Sequence, residues 1–348
     1  MNIWHNYARH YNFGDYGLGV GVRNIFSKHL VRNKPLIYKL KDVHTFNVKE
    51  NLYEINNTSD MLLIGGGGII HGCFFKSGFW TLDSDSLKLL NKPFVVYGVG
   101  YNLFRGEGRL SSKQVDNLRE IISKSCSFSV RNDGSREELL TYGIDVPEVP
   151  DPGFFIDMEI PKNSLEENTV IIQLAADLPI NRGISDSFMS NMELIIRHLI
   201  SKEYKVILAP HVRSDIELGN ILQSRVKSSN LISWTWDNIM RDEFTLKGFS
   251  FYKNCKFVIG MRGHSQIFSV GVKKPVISIG NHRKNLGLLE KISYTQHYID
   301  IADKSFLDKA ISNIEDIEKN YSAYTNLLED QMSLLDSSTK SFIEKIRY

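Results

Sequence analysis

Two α/β domains built on parallel sheets are what this sequence predicts, and three observations lead there. Short apolar runs of strand character recur and end in glycine or in a polar cluster, as at Asp60–Gly65, Pro93–Gly98, Phe128–Arg131, Thr169–Leu174, Lys205–Ala209 and Phe257–Ile259. Stretches of helical periodicity separate them, and such alternation is the pattern of parallel sheets covered by helices. The length of 348 residues suits two domains of ordinary size. The polar stretches around Asp151-Pro152-Gly153 and residues 161–168 read as the link. They divide the chain into a domain over 1–160, a second over 168–320, and a C-terminal helical segment over 321–348.

Composition narrows the function classes. Apolar residues make up 42% and charged residues 24%, the balance of a globular chain. The net charge is +2, and residues 1–160 carry 18 basic and 18 acidic side chains against 24 and 22 in the remainder. Neither half is a basic surface, so nucleic acid is not an expected partner. Cys73, Cys126 and Cys255 lack CxxC or zinc-finger spacing, and the ten histidines show no H-E-x-x-H pattern, so no metal is expected. The first residues hold no apolar core of signal-peptide length, and no apolar run is long enough to cross a bilayer. A cytoplasmic protein is the expectation, with loose attachment at the inner face of the membrane compatible with it.

Taken in order, His10–Gly17 reads as a turn that enters a helix whose apolar positions are Leu18, Val22, Ile25, Phe26 and Leu30. Asn12 and Asp15 stand at its start, and Asp15 weighs equally as a helix cap and as a functional acid. Gly65, Gly66, Gly67 and Gly68 follow a buried strand and precede Ile69-Ile70-His71. Glycines at the carboxyl end of a strand let a ligand approach the backbone and expose N–H groups. The run is neither a G-x-G-x-x-G fingerprint nor a Walker loop. Four in succession exceed what a turn requires, which favours a ligand-lining loop. Pro93–Gly100 repeats the pattern, and Phe128–Ser135 does so again. There Arg131 ends a strand just before a helix at Arg136–Tyr142. Ser129 and Ser135 lack the surroundings of a hydrolase nucleophile. Asp83-Ser84-Asp85 resembles a metal-binding D-x-D, but a helical pattern follows it and acids favour a helix start.

The second half opens with the strand at Thr169–Leu174 and a helix marked by Phe188, Met192, Ile195, Ile196 and Leu199. Lys205–Ala209 runs into Pro210-His211, and Asp215 opens the next helix. Leu231–Trp236 reads as strand or loop, and Phe244–Tyr252 as a helix. Lys256–Lys284 then reads as strand, turn, helix, strand and a polar turn that holds Asn281 and Lys284. Gly260 frees the backbone, Arg262 and His264 follow, and Ser265–Val270 forms the helix. A helix N-terminus favours an anion, and His264 adds a titratable group to it. Arg131 and Arg262 share one kind of address, in two domains. Their planar guanidiniums suit a single ligand with two anionic groups, bound where the carboxyl edges of two sheets face across a cleft. Trp80, Trp234 and Trp236 suit stacking on a sugar, though core packing is the commoner use of such residues. Asp303–Arg347 is largely helical.

Five short pieces lie along the chain in a fixed order: Asn12-Phe13-Gly14-Asp15, Gly65–Gly68, Ser129-Val130-Arg131 with Ser135, Asp151-Pro152, and Gly260-Met261-Arg262-Gly263-His264. In these the sequence resembles the polysaccharide pyruvyl transferase family. It departs from the family pattern in having Asn132 directly after Arg131, Gly263 in place of the commoner Leu, and no Tyr in the turn at 280–284. These departures bear on contacts to the acceptor more than on the donor site. The resemblance implies two Rossmann-like domains in a glycosyltransferase-B-like arrangement. It also implies transfer of the carboxyvinyl unit of phosphoenolpyruvate to a sugar diol of a capsule, an exopolysaccharide or a lipid-linked precursor. A pyruvate ketal forms, phosphate leaves, and no cofactor is needed. On this reading Arg131 and Arg262 hold the donor, His264 is the acid/base, and Asp15 or His211 handles a second proton. Asn12, Gly65, Gly66, Gly67, Gly68, His71, Ser129, Ser135, His211, Gly260, Asn281 and Lys284 are the substrate-binding candidates. Two rivals stand beside it. One is a glycosyltransferase of the same shape using a sugar nucleotide, for which Asp237 is the candidate ribose-binding acid. The other is a non-catalytic glycan- or phosphate-binding protein. The oligomeric state is not written in the sequence.

Overall fold

The computed structural model describes residues 1–8, 12–30, 35–42, 48–72, 82–101, 109–156, 168–176, 184–235, 242–280 and 283–347. The chain divides into two compact units, one of Met1–His10, Asp15–Phe155 and Leu335–Tyr348, the other of Tyr11–Gly14 and Ile156–Leu334. No described helix is long and apolar enough to cross a membrane.

The first unit alternates strand and helix: β1 (Asn2–Tyr7), α1 (Phe13–His29), β2 (Ile37–Asp42), α2 (Val48–Thr58), β3 (Met61–Gly65), α3 (Ser84–Leu89), β4 (Phe94–Val99), α4 (Ser112–Lys124), β5 (Ser127–Arg131), α5 (Ser135–Leu140) and β6 (Glu148–Val149). Its sheet has the order β2-β1-β3-β4-β5-β6 with every pair parallel. A parallel sheet is covered on both faces, which is why β3 and β4 are unbroken buried apolar runs. Trp4, Leu62, Ile64 and Val96 pack on one face. Ile3, Phe26, Leu63, Val95 and Tyr97 pack on the other, joined by Ile343 and Ile346 from the end of the chain.

The second unit repeats the plan with β7 (Thr169–Gln173), α6 (Asp186–Ser201), β8 (Lys205–Leu208), α7 (Asp215–Val226), β9 (Leu231–Ser233), α8 (Asp242–Asn254), β10 (Phe257–Gly260), α9 (Gly263–Gly271), β11 (Val276–Gly280), α10 (Arg283–Lys291), β12 (Tyr298–Asp300), α11 (Phe306–Lys319) and α12 (Tyr321–Ile343). The order is β12-β11-β10-β7-β8-β9, again parallel throughout. The ambiguous stretch after Leu231 is therefore an edge strand of three residues.

Each sheet has one place where successive strands stop adding on one side and begin on the other. It lies between β1 and β3 in the first and between β7 and β10 in the second. Ligands of open α/β sheets bind beyond the strands' carboxyl ends at such points. The helix starts are settled by short polar side chains. Asp83 Oδ1 accepts from the Ser86 hydroxyl (2.7 Å) and the Ser86 amide (2.8 Å), and these bonds, the hydroxyl's first, lower its pKa. The first acid of Asp83-Ser84-Asp85 thus caps α3. Ser111 and Gln114 form a reciprocal capping box on α4. At α1 the amide of Gly14 donates to Asn12 Oδ1 (2.9 Å), so Asn12 caps this helix and Asp15 lies in its first turn.

Candidate functional site

At the β7/β10 switch, Gln173 ends β7 in register with Gly260 of β10. A Cβ on Gly260 would run into the Ser265 hydroxyl, so glycine is required for α9 to start this close to its strand. The helix begins at Gly263, two residues before the apolar pattern shows it, with Arg262 in extended conformation as its N-cap. The backbone N–H of Arg262 donates to Gln173 Oε1 (2.8 Å), while Gln173 Nε2 donates to the carbonyl of Leu174 (2.6 Å). Arg262 Nε and Nη2 donate to the two carboxylate oxygens of Asp215, at 2.9 and 2.6 Å. Asp215, the first residue of α7, has a buried side chain and also accepts from the amides of Ala176 (3.0 Å), His211 (3.0 Å) and Val212 (3.1 Å). A carboxylate so supplied with donors is itself held in place and fixes the guanidinium in two dimensions.

His264 lies in the first turn of α9, its ring stacked on Phe268 with centroids 6.0 Å apart. Its Nδ1 occupies the space that a Cβ on Gly14 would need. The preceding residue is anchored too. The amide of Phe13 donates to the His211 carbonyl (2.9 Å), and the Phe13 ring packs on Phe249 (4.5 Å), His211 (5.2 Å) and Phe268 (5.9 Å). Asn12-Phe13-Gly14 is therefore a folded plug that ends at the His264 imidazole. His211 is fully buried, with Nε2 2.7 Å from the Tyr252 hydroxyl. Burial holds its pKa well below the usual value, and the charges of His264 and Arg262 act in the same direction. Burial likewise raises Tyr252 well above its ordinary range. Gln266, two residues past His264, is fully buried, and neither of its amide atoms has a hydrogen-bond partner among the described residues.

In the first unit, Arg131 ends β5 with its side chain 10% exposed. Nε donates to Asp133 Oδ2 (2.7 Å) and Nη1 to Asp151 Oδ2 (3.1 Å), which leaves Nη2 outside both pairs. A Cβ on Gly100 would sit 2.6 Å from Nε and 2.9 Å from Nη2, so this glycine lets β4 pass over the guanidinium. Burial opposes the charge on Arg131, but Asp133, Asp151 and then Asp15 outweigh it, and the pKa rises. Asp151 is held by the Gly153 amide on Oδ1 (2.8 Å), and its own amide donates to Asn132 Oδ1 (2.9 Å). An Asp at position 132 would set another negative charge beside Asp151; the neutral Asn132 accepts the same bond without it. Ser135 donates to Asp133 through its hydroxyl and receives the Tyr101 amide on Oγ (2.7 Å). Ser129 Oγ receives the Gly98 amide (3.1 Å). Both serines are buried and serve the backbone at the end of β4.

The glycine run has local causes for three of its members. A Cβ on Gly65 would lie 2.8 Å from the Tyr97 carbonyl. Gly66 (φ +80°) abuts the backbone of Leu18, and Gly67 (φ +98°) abuts Ala8, 2.7 Å from the position of an added Cβ. His71 is buried just beyond. Trp234 packs on Phe251 with centroids 4.3 Å apart, a core role. Asn281, Asp237, Trp80 and Trp236 lie outside the described residues, as does the side chain of Lys284. The sequence reading missed Asp215, Gln173, Asp133 and Tyr252 as site residues. For Asp215 a signal exists: it follows His211 at the carboxyl edge that also carries Arg262, so its helix-opening position and a charge partner coincide.

Comparison with known proteins agrees with this construction. The sequence matches the polysaccharide pyruvyl transferase family over residues 12–283. No curated protein matches it significantly. Among solved structures, a putative UDP-N-acetylglucosamine 2-epimerase from Listeria monocytogenes is similar with a TM-score of 0.61 at 11% identity, covering 94% of this chain and 90% of that one. UDP-GlcNAc 2-epimerase from Neisseria meningitidis, bound to UDP-GlcNAc, gives 0.56 at 12% identity and 99% of both chains. ADP-heptose LPS heptosyltransferase II from E. coli gives 0.55 at 9% identity, over 95% and 99%. At such identities the likeness is one of fold, that of GT-B-type glycosyltransferases and epimerases. With the family's span reaching from the α1 cap to the start of α10, the chain belongs to the polysaccharide pyruvyl transferase family and is a transferase.

Proposed function

We propose that the protein transfers the carboxyvinyl unit of phosphoenolpyruvate to two hydroxyls of one sugar in a surface polysaccharide or its lipid-linked precursor. The observation that supports this most is Arg262 and His264 side by side at the start of α9, the first fixed by Asp215 and the second seated on Gly14. Phosphoenolpyruvate carries a phosphate and a carboxylate. Guanidinium groups and the first-turn amides of a helix suit both. In the first unit Arg131, with Nη2 outside its two ion pairs, is the guanidinium suited to an anionic group of the donor.

His264 delivers a proton to the methylene carbon, which becomes a methyl group, and the neighbouring carbon gains oxocarbenium character. The oxygen of one sugar hydroxyl bonds to that carbon and loses its proton. The carbon–oxygen bond to phosphate then breaks, and the second hydroxyl closes the ketal. One of the two hydroxyl protons restores His264 and the other leaves with phosphate. Of the two candidates for the remaining proton transfer, Asp15 suits the task better. It is half-buried in the first turn of α1, whereas His211 is enclosed, held neutral and engaged by Tyr252. His211 acts by holding Phe13 in place.

The test is phosphate release from phosphoenolpyruvate in the presence of a panel of glycans, with the product followed by mass spectrometry. Sugar-dependent release with a pyruvyl adduct is the expected result. Consumption of a sugar nucleotide without any such release would move the protein to glycosyl transfer.

A further inference from the structure

The switch point of the first sheet holds none of the residues placed above in donor chemistry. Arg131 ends β5, which β4 separates from β3, while the reversal of strand order lies between β1 and β3. β1 reaches this point with Asn6, in register with Ile64, and β3 reaches it with the glycine run. Alternate residues of a strand share a face, so Asn6 lies on the side of Trp4 and Ala8, opposite His5 and Tyr7. The glycine loop covers that same side, since Gly67 abuts Ala8.

Asn6 is 1% exposed, and its Oδ1 has no hydrogen-bond partner among the described residues. An unsatisfied buried acceptor costs about 1–3 kcal/mol, and native chains rarely carry one without a reason. In the other sheet Gln173, the last residue of β7 at the β7/β10 switch, has its oxygen taken by the Arg262 amide. Asn6, one residue before the end of β1 at its own switch, has no such partner for its oxygen among the described residues.

We propose that the crevice at the β1/β3 switch is a sugar subsite in which Asn6 Oδ1 accepts a hydrogen bond from a hydroxyl of the acceptor glycan, seated against the glycine loop. An amide oxygen only accepts, so it suits a ligand that offers a donor; a sugar hydroxyl does so, and an ionised phosphate or carboxylate oxygen does not. That the sugar is a co-substrate rests on the pyruvyl-transfer reading; that a sugar binds here does not.

The test uses the full chain and methyl hexopyranosides of gluco, galacto and manno configuration, without phosphoenolpyruvate, with binding followed by saturation-transfer NMR. Asn6→Leu keeps the volume and removes the unsatisfied acceptor, so it is expected to melt at or above the wild-type temperature. Asn6→Ala covers the case in which leucine does not fit. At least one hexoside is expected to bind the wild type, and to bind the folded variants about tenfold more weakly, the effect of one unpaired buried hydroxyl. Equal affinities, or no hexoside bound by the wild type, overturn the subsite. Phosphate release is measured on the same samples. A wild type that binds a hexoside yet releases no phosphate with any glycan keeps the subsite and overturns the donor reading.

Discussion

Arg262 is a charge on a fixed mount, because Asp215 takes two of its nitrogens and three backbone amides hold Asp215. Lysine in its place offers a single point of charge and leaves one carboxylate oxygen short of a donor. For Arg262→Lys we expect KM for phosphoenolpyruvate to rise at least about tenfold, as for a lost charge-assisted hydrogen bond. An unchanged KM in steady-state kinetics would remove Arg262 from the donor site. His264→Ala is expected to lower kcat by about 10²–10⁴-fold, the span of a lost general acid. Turnover near that of the wild type would end its assignment. Gln266 gives a prediction of the opposite sign. With both amide atoms unpartnered among the described residues, Gln266→Leu is expected to stabilise the fold by about 1 kcal/mol in urea titration. A loss of stability would mean that the amide has a partner. The two arginines and His264 were legible because a strand that hands over to a helix gives its last residues a known place. Asp215 was not: 47 positions separate it from Arg262, and its local pattern is that of any helix-opening acid.

The start of α1 shows how one element sets the geometry of another. Asn12 caps the helix, Phe13 fills an aromatic pocket and Gly14 leaves room for the His264 ring. Gly14→Ala places a methyl group where Nδ1 now lies, so the imidazole must move. Overpacking of this kind costs about 1–3 kcal/mol. We expect a larger fall in kcat than in melting temperature, measured on the same preparation. A variant with wild-type turnover would separate this contact from catalysis. The sequence showed the motif but not its target, since a glycine's neighbour is fixed by tertiary approach. It also hid β1, the strand from which the first sheet builds outward on both sides. His5 and Asn6 interrupt its apolar pattern, so NIWHNY carries little strand signature although five of its six residues are buried.

For the whole molecule, pH enters through histidines buried in the uncharged form. Burial lowers the pKa of His5 well below the usual 6.5, as it does for His211; Arg23 adds to the effect at His5. The unfolded chain binds these protons at about pH 6.5 while the folded chain does not, so stability is full above that pH and falls as pH drops below it. Denaturation midpoints are therefore expected to be lower at pH 5.5 than at pH 7.5. Replacement of His5 by Gln should flatten the slope. A midpoint independent of pH over that interval would show that these rings take up protons without unfolding.

The alternation that announced two parallel α/β units is visible at this scale because each strand and its covering helix are local in sequence. The docking of the last residues is not, for a helix's periodicity tells which side is apolar and not what receives it. Ile343 and Ile346 fill the layer that Ile3, Phe26, Leu63 and Tyr97 begin. On a ribosome, the unit begun by β1 would thus emerge with a gap in its interior. It would stay loosely assembled until Ile343 and Ile346 had emerged as well, about two hundred residues after its last strand.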